Sequence, residues 1–307
     1  MATKKKTKTP AVRYLRYEMT MSDNPGTEVS AFLNIARDLS RANRRLYRAG
    51  KDYHIRKISI VSSDTPNGGN RISFSTIPDS WVSRNAWKRG FDTWRKMQMD
   101  ATKQMSGDIR GTWDDFKVYM SPDHVGGTVL DAKDNGGNAY PVGEWVYTKL
   151  VSPDGTTGAN EFHLTMLGNH NGGPGTFTRV GLIKSYGESR ATVQDASPNT
   201  PGTASDDPLV NVFDYGTTVD EVIDRMEVEG DSAPYDVDAY PGDDTNTPKP
   251  LVVQDTTIVD GRATVGQLNA ICGLIEVEAK STLPNDVISI LVEVAPGNYR
   301  GVAAEAI

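Results

Sequence analysis

The sequence predicts a mainly β protein, an eight-stranded sandwich or jelly roll with two helices in its N-terminal third. From residue 112 onward, segments with strand-like patterns alternate with turn sequences, and no helical segments separate them at regular intervals. The chain has 29 Gly and 17 Pro in 307 residues, as expected for long connections between strands. These observations disfavour a doubly wound parallel sheet.

Composition excludes several other classes. No apolar stretch approaches the roughly 18 residues that a membrane span needs, and the lysine-rich start is not followed by the apolar core of a secretory signal. The single cysteine, Cys272, excludes intrachain disulfides and multi-cysteine metal sites. Because it lies between Ile271 and Leu274, we expect a small buried hydrophobic side chain there.

Charge is distributed very unevenly along the chain. The formal net charge is −7, yet residues 1–111 hold 22 Lys and Arg against 10 Asp and Glu, a net of +12. The remaining residues therefore have a net charge of −19. This separation predicts two surfaces with opposite electrostatic roles. The alternative is that the two parts attract one another within one fold.

Residues 1–11 are predicted to form a basic mobile arm, and residues 12–307 a single domain. The arm carries four lysines, Lys4, Lys5, Lys6 and Lys8. Phosphate binding is the favoured role for them, and a solubilising tail is the alternative. Alternating polar and apolar residues over 12–21 then predict a strand.

A basic helix is predicted over residues 27–49, with Thr27 as the N-cap and Gly50 ending it. Apolar residues recur along one face at steps of three and four. The opposite face carries Arg37, Arg41, Arg44, Arg45 and Arg48. Such a row repels itself when acidic partners four residues away are missing. We therefore expect it, together with Arg13 and Arg16, to bind the phosphates of a nucleic acid.

Two strands over residues 53–62 and 71–77 are predicted to form a hairpin across a Gly-rich turn. A second helix is predicted from Trp81 to about Met105, capped by Asp79 or Ser80. Its rings are expected to pack on the sheet or on a neighbouring subunit, and the predicted interface set is Trp81, Trp87, Phe91 and Trp94. The basic residues that flank these rings are either solvated charges or a second phosphate-facing surface.

The rest of the chain supplies the remaining strands and one acidic insertion. The predicted strands cover residues 116–120, 144–151, 161–167, 177–186, 190–195, 251–259, 270–279 and 287–295. The insertion spans about 195–250, and its 206–244 part holds 13 acidic residues and a single base, Arg225. Such a segment belongs on an outer surface, away from nucleic acid.

No catalytic signature emerges from the sequence, so we predict a protein that is not an enzyme and needs no cofactor or metal. The four histidines match no zinc-protease or deaminase pattern, and no G-x-S-x-G elbow or P-loop occurs. His54 and His163 are expected to be structural. The acidic insertion could bind calcium, but the EF-hand spacing is missing and a solvated loop is favoured.

The first third of the chain resembles the single jelly-roll capsid proteins of small circular single-stranded DNA viruses, especially those known from environmental and marine genomes. The resemblance covers chiefly residues 10–105. It rests on the lysine-rich start, on DLSRANRRLY at 38–47, and on IPDSWV at 77–82 continuing into RNAWK at 84–88. Compared with many such capsid proteins, this arm is short, with only four lysines before Pro10.

The resemblance implies an eight-stranded jelly roll that assembles with its own copies into an icosahedral shell. It also implies that interior basic residues package a single-stranded DNA genome, and that the protein resides in the virion and, during assembly, in the host cell. No membrane partner is expected. The alternative from the residues themselves is a β-sandwich receptor- or carbohydrate-binding module, and a second is a glycan-active enzyme on the same scaffold.

Overall fold

The computed structural model describes residues 10–63, 69–103, 111–151, 161–172, 177–188 and 251–307. The arm lysines, the acidic insertion over 195–250 and the predicted strand over 190–195 lie outside these ranges. The β-strands are β1 Tyr14–Thr20, β2 Glu28–Asn34, β3 Lys51–Val61, β4 Asn70–Thr76, β5 Lys149–Val151, β6 Glu161–Thr165, β7 Arg179–Gly181, β8 Leu251–Ile258, β9 Arg262–Val265, β10 Leu268–Ile271, β11 Leu274–Lys280, β12 Val287–Val294, β13 Pro296–Gly297, β14 Gly301–Val302 and β15 Ala304–Ala306. The α-helices are α1 Ile35–Asn43, α2 Trp81–Lys103 and α3 Leu182–Glu188.

Two antiparallel sheets form the body of the protein, which is mainly β as predicted. Sheet 1 has the order β1-β12-β3-β10, with β9 and β15 also paired to β3. Sheet 2 has the order β2-β11-β4-β8. Strands that follow one another in the sequence mostly lie in opposite sheets, so the chain passes repeatedly between the two layers.

The main core lies between these sheets. In β1 the side chains of Leu15, Tyr17 and Met19 are buried while Tyr14 is exposed, which is the period-two pattern of a half-buried strand. They pack in one apolar cluster with residues of sheet 2 such as Phe74. Burying each large apolar side chain contributes about 1.5–3 kcal/mol, so this alternation fixes which face of every strand points inward.

A second apolar cluster lies on the outer side of sheet 2. It joins Phe32 of β2 and Trp87 of α2 to Leu164 of β6 and Leu182 of α3. Helix α2 begins as predicted, because the Ser80 hydroxyl accepts a hydrogen bond from the Ser83 amide at 3.2 Å. The small sheet β5-β6-β7 and α2 thus cover sheet 2 from outside. No helix in the described ranges is long and apolar enough to cross a membrane.

The prediction of a long basic helix over residues 27–49 is wrong. Residues 28–34 form β2, and α1 covers only Ile35–Asn43, capped by the Asn34 side chain, which accepts from the Arg37 amide at 2.9 Å. Apolar side chains mark both faces of β2 because one face meets the main core and the other meets the second cluster. A strand buried on both faces cannot be distinguished from a helix by periodicity. Gly50 follows the helix by seven residues and leads into β3 instead of capping it.

The prediction that residues 53–62 and 71–77 pair as a hairpin is also wrong, although both segments form strands. Strand β3 pairs with β12, β9 and β10 in sheet 1, while β4 pairs with β11 and β8 in sheet 2. The predicted strand over 270–279 is divided in the same way by the Cys272–Gly273 turn, with β10 in sheet 1 and β11 in sheet 2. Alternation of apolar and polar residues indicates that a segment is a strand, but it does not indicate which strand pairs with it.

Three further strand predictions are corrected in part. Residues 177–186 divide into β7 and α3, and of residues 144–151 only the last three form a strand. Residues 116–120 make only an isolated bridge, between Tyr119 and Thr165. The strands predicted over 12–21, 53–62, 161–167, 251–259 and 287–295 are confirmed with shifted ends.

Candidate nucleic-acid interface

One end of the sandwich gathers the start of β1, the end of β12 and the start of β3. Tyr14 pairs with Glu293 near the end of β12, and Asp52 of β3 pairs with Ile271 of β10. The connection from α1 to β3 and the C-terminal loop β13–β14 are attached to these strand ends. Residues far apart in the sequence therefore meet here.

The segment 44–50, which we call the basic loop, is held by buried tyrosines. Arg44 ends α1 in the left-handed region, at φ 52°. The Tyr47 amide donates to the Ser40 hydroxyl at 2.8 Å, and the fully buried Tyr47 phenol donates to the Arg300 carbonyl at 2.9 Å. The Tyr53 hydroxyl donates to the Arg48 carbonyl at 2.8 Å. These anchors fix the backbone of the loop while its arginine side chains face solvent.

The basic arm leaves the domain beside this loop. The Val12 amide donates to Asn43 Oδ1 at 2.8 Å, and Asn43 Nδ2 donates to the Val12 carbonyl at 3.0 Å. Gly301 has φ +97°, and an added Cβ there would lie 2.7 Å from Ala11 Cβ. The first described residues are thus tied to the last residue of α1 and to the C-terminal loop. Lys4, Lys5, Lys6 and Lys8 precede this attachment and lie outside the described residues.

Five basic residues share this end of the protein, and we call them the cationic end: Arg44, Arg45, Arg48, Lys51 and Arg300. Within the described ranges, neither Arg44 nor Arg45 lies within 4.0 Å of a carboxylate oxygen, and both are exposed. Clustered positive charge without counter-ions attracts polyanions.

Tyr299 lies among these cations. Lys51 Nζ is 4.8 Å from the centre of its ring, and the Arg300 guanidinium carbon is 5.8 Å from it. The ring also meets Tyr47 edge-on at 6.0 Å. Burial raises the pKa of the Tyr47 phenol, and the nearby charges of Arg45 and Arg300 oppose that rise. The basic loop and the C-terminal loop therefore form one electrostatic unit.

Arg48 connects the cationic end to the segment that begins at residue 111. Its Nη1 donates to the Asp114 carbonyl at 2.8 Å and lies 3.3 Å from Asp115 Oδ1. The other Asp115 oxygen accepts from the Ala49 amide at 2.9 Å. Burial raises the pKa of Asp115, and the Ala49 and Arg48 contacts oppose that rise. About half of the Arg48 side chain remains exposed, so it is only partly neutralised.

Arg37 and Arg41 do not belong to this exposed surface, which corrects the single projecting row expected from the sequence. Arg37 is 8% exposed and lies 2.9 Å from Asp38 and 3.1 Å from Asp131. Arg41 also pairs with Asp131. One of the two neutralising carboxylates, Asp131, comes from a segment at least 90 residues away, which bridges to Phe32 of β2 through Val129. Spacing within α1 contains no signal for such a partner.

The remaining predicted arginines lie on or near sheet 1. Arg13 Nη1 donates to the Val294 carbonyl at 3.2 Å, close to the cationic end. Arg16 lies 3.4 Å from Glu18 on the outer face of β1, so it is locally paired. The structure thus brings Arg44, Arg45 and Arg48 together with the root of the arm and Arg13, and leaves Arg16, Arg37 and Arg41 elsewhere.

The four predicted interface rings have different surroundings. Trp87 is buried, stacks on Phe91 at 5.2 Å and meets Phe116 at 5.7 Å, and Trp94 is 5.5 Å from Phe116. These three rings pack against other rings of the same subunit. Trp81 is 47% exposed and meets Tyr186 edge-on.

A polar network is buried next to α1, and we call it the α1 network. Tyr17 donates to Asp38 at 2.8 Å, and Asp38 pairs with Arg37. The side-chain Nδ2 of Asn34 donates to the Tyr147 hydroxyl at 3.3 Å, and that hydroxyl lies 3.2 Å from His124 Nε2. Burial lowers the pKa of His124 to about 3 and raises that of Tyr147 to about 12.

Both of these groups are uncharged at neutral pH, and His124 Nδ1 accepts from the Met120 amide at 3.1 Å. Its ring stacks on Phe32 at 4.4 Å. A closed set of hydrogen bonds of this kind supports packing. Cys272 is buried as predicted, and burial raises the pKa of its thiol. Within the described ranges, no group of three or more His, Cys, Asp or Glu is placed to hold a metal ion.

No family model matches this chain, and neither a curated protein nor a solved structure matches it.

Proposed function

We propose that this chain is the subunit of a viral coat that assembles with its own copies and packages a nucleic acid through the cationic end and the arm. The observation that carries the proposal is the meeting of the arm root with Arg44, Arg45 and Arg48 at one end of an antiparallel sandwich. A basic arm and exposed arginines on one surface bind phosphates without reading base sequence.

The proposed fold is a jelly roll, and the strand order supports it. If β9 and β10 are taken as one broken strand beside β3, and β5–β7 and the short β13–β15 are set aside, eight strands remain in this chain order: β1, β2, β3, β4, β8, β9–β10, β11 and β12. The first pairs with the eighth, the second with the seventh, the third with the sixth and the fourth with the fifth. Nested pairs of this kind arise when one long hairpin is rolled into two sheets. Jelly rolls are frequent in viral capsid domains.

The charge distribution along the chain supports a coat whose inner surface is basic and whose outer surface is acidic. The cationic end would face the genome, and the acidic insertion over 195–250 would face outward, since like charge keeps it away from phosphates. A single-stranded DNA genome and an icosahedral shell remain parts of the proposal that rest on the family resemblance.

Electron microscopy of the purified full chain tests assembly. We expect uniform closed shells that contain nucleic acid, detected by absorbance at 260 nm and released by nuclease after disassembly. A β-sandwich binding module would instead stay a monomer or small ring. A monodisperse monomer at every salt concentration would contradict the coat function.

Charge reversal tests the packaging surface. The double variant Arg44→Glu and Arg45→Glu should yield particles without nucleic acid, because it places negative charge beside the arm root. The matched control is Arg262→Glu and Lys280→Glu, two exposed bases at the opposite end of the sandwich. Equal loss of nucleic acid from both variants would show that total charge matters and that the cationic end has no special role.

A further inference from the structure

A tryptophan stands exposed beside the cationic end. Trp113 is 68% exposed, the most exposed aromatic side chain among the large hydrophobic residues of the described ranges. No ring contact involves it in those ranges, whereas Trp81, Trp87 and Trp94 of α2 all contact neighbouring rings. Exposing an indole to water forfeits a large hydrophobic gain, so a side chain in this position is suited to a partner.

The position of Trp113 relative to the arginines is fixed by hydrogen bonds. Asp114, the next residue, has its carbonyl bound by Arg48 Nη1 at 2.8 Å, and Asp115 binds the Ala49 amide. Consecutive Cα atoms lie only about 3.8 Å apart. The backbone that carries the indole is therefore attached to the basic loop, although the two segments are more than 60 residues apart in sequence.

We propose that Trp113 is a stacking platform for an unpaired nucleobase, with Arg48 and its neighbours holding the adjacent phosphates. Aromatic rings next to basic residues are the usual means of binding single strands without sequence preference, because every base presents a π face. Bases inside a duplex are already stacked and do not offer that face. This inference rests on the proposed function and deepens it by naming the ligand class: a single strand with accessible bases.

The test compares ligands of equal charge that differ in their bases. Wild-type protein is titrated with a 12-nucleotide oligothymidylate, with a 12-residue abasic deoxyribose phosphate oligomer, and with a 12-base-pair duplex, following tryptophan fluorescence and anisotropy of a labelled strand. The variants are Trp113→Ala and Trp113→Phe. The matched control is Trp81→Ala, which removes the exposed indole of α2.

We expect oligothymidylate to quench the fluorescence of wild-type protein, and this quenching should be absent in Trp113→Ala. That variant should bind oligothymidylate about 5- to 150-fold more weakly, the range found for loss of one stacked base. Its affinity for the abasic oligomer should not change, because the phosphates keep their arginines. Trp113→Phe should retain most of the affinity, and Trp81→Ala should behave as wild type.

Each contrary outcome has a distinct meaning. Equal weakening on the thymidylate and abasic oligomers, or no weakening on either, overturns stacking while nucleic-acid binding stands. Unchanged affinity together with failed particle assembly in Trp113→Ala assigns the ring to a subunit contact and overturns the inference. Absence of binding of all three ligands by wild-type protein overturns the proposed packaging function itself, and the inference with it.

Discussion

The α1 network and the cationic end use the same residue type within one short segment, and they use it in opposite ways. Arg37 is buried against Asp38 and Asp131, whereas Arg45, eight residues later, is exposed and has no carboxylate within ion-pair distance in the described ranges. Burial makes a charge depend on its partner, because an unpaired ion in a low-dielectric interior is very costly. Exposure leaves a charge free to meet a ligand.

The comparison also separates stability from binding. Removing a partner from the α1 network should weaken the fold, and removing Arg44 or Arg45 from the cationic end should weaken only the binding of polyanions. The sizes of the expected effects follow from burial.

Arg37→Ala should produce the largest loss of stability. It leaves the Asp38 carboxylate, which is fully buried, with only the more distant Arg41 as a cation, and breaking a buried ion pair in this way costs about 3–5 kcal/mol. Urea denaturation followed by far-ultraviolet circular dichroism measures the free energy of unfolding. The control Arg45→Ala should change it by no more than about 0.5 kcal/mol. Equal effects of the two variants would remove the distinction between the regions.

Gly50→Ala should have the next largest effect, since it acts on the junction between the basic loop and α2. An added Cβ would lie 2.3 Å from the Trp87 ring, which is itself packed against Phe91 and Phe116. Overpacking of this kind costs about 1–3 kcal/mol. Thermal denaturation of the variant measures the loss, and Gly143→Ala, where nothing lies within 4 Å, is the control. An unchanged melting temperature would show that the Trp87 ring shifts freely.

His124 should make the α1 network sensitive to acid. Its folded pKa of about 3 lies below the value near 6.5 of the unfolded chain, so below pH 6.5 the unfolded state binds a proton that the folded state does not. The contribution of neutral His124 to the free energy of unfolding is therefore fully present above pH 6.5. It is lost as the pH falls towards 3, by up to about 1.4 kcal/mol per pH unit. The free energy of unfolding at pH 7, 6, 5 and 4 measures this slope.

The control for this slope is His124→Asn, whose side-chain oxygen can accept from the Met120 amide as His124 Nδ1 does. The variant should be less stable at pH 7 but should show a flatter dependence on pH over the same range. Identical slopes in the two proteins would assign acid sensitivity to other groups of the network.

Arg44→Gln together with Arg45→Gln should have the smallest effect on stability and a clear effect on binding. Both side chains are exposed, so the free energy of unfolding should change by no more than about 0.5 kcal/mol per site. The slope of log affinity against log salt should fall by up to about 1.4 on a single strand, since each phosphate contact contributes about 0.7. Titrations at several salt concentrations measure it, with Arg262→Gln and Lys280→Gln as the control. An unchanged slope would exclude both arginines from phosphate contact.

The sequence by itself determined the strands that are buried on one face and the start of α2. In β1 and β12, alternation of apolar and polar residues reports burial directly, and the cap sequence before Trp81 supplies its own hydrogen bond through Ser80. It also singled out Arg44, Arg45 and Arg48 as candidate phosphate-binding residues, but not Lys51 or Arg300. These are local properties, which each segment carries in its own residues.

Tertiary structure alone decided the pairing of strands, the division of residues 28–43 into β2 and α1, and the fate of each arginine. A strand covered on both faces loses its period, and sheet partners are chosen by the packing of the whole core. Asp131 pairs with Arg37 and Arg41 from at least 90 residues away, and Arg48 brings Trp113 to the basic loop across more than 60 residues. A charged side chain is buried only where the folded chain places a counter-ion beside it. When that counter-ion is distant in sequence, no local pattern predicts the pair.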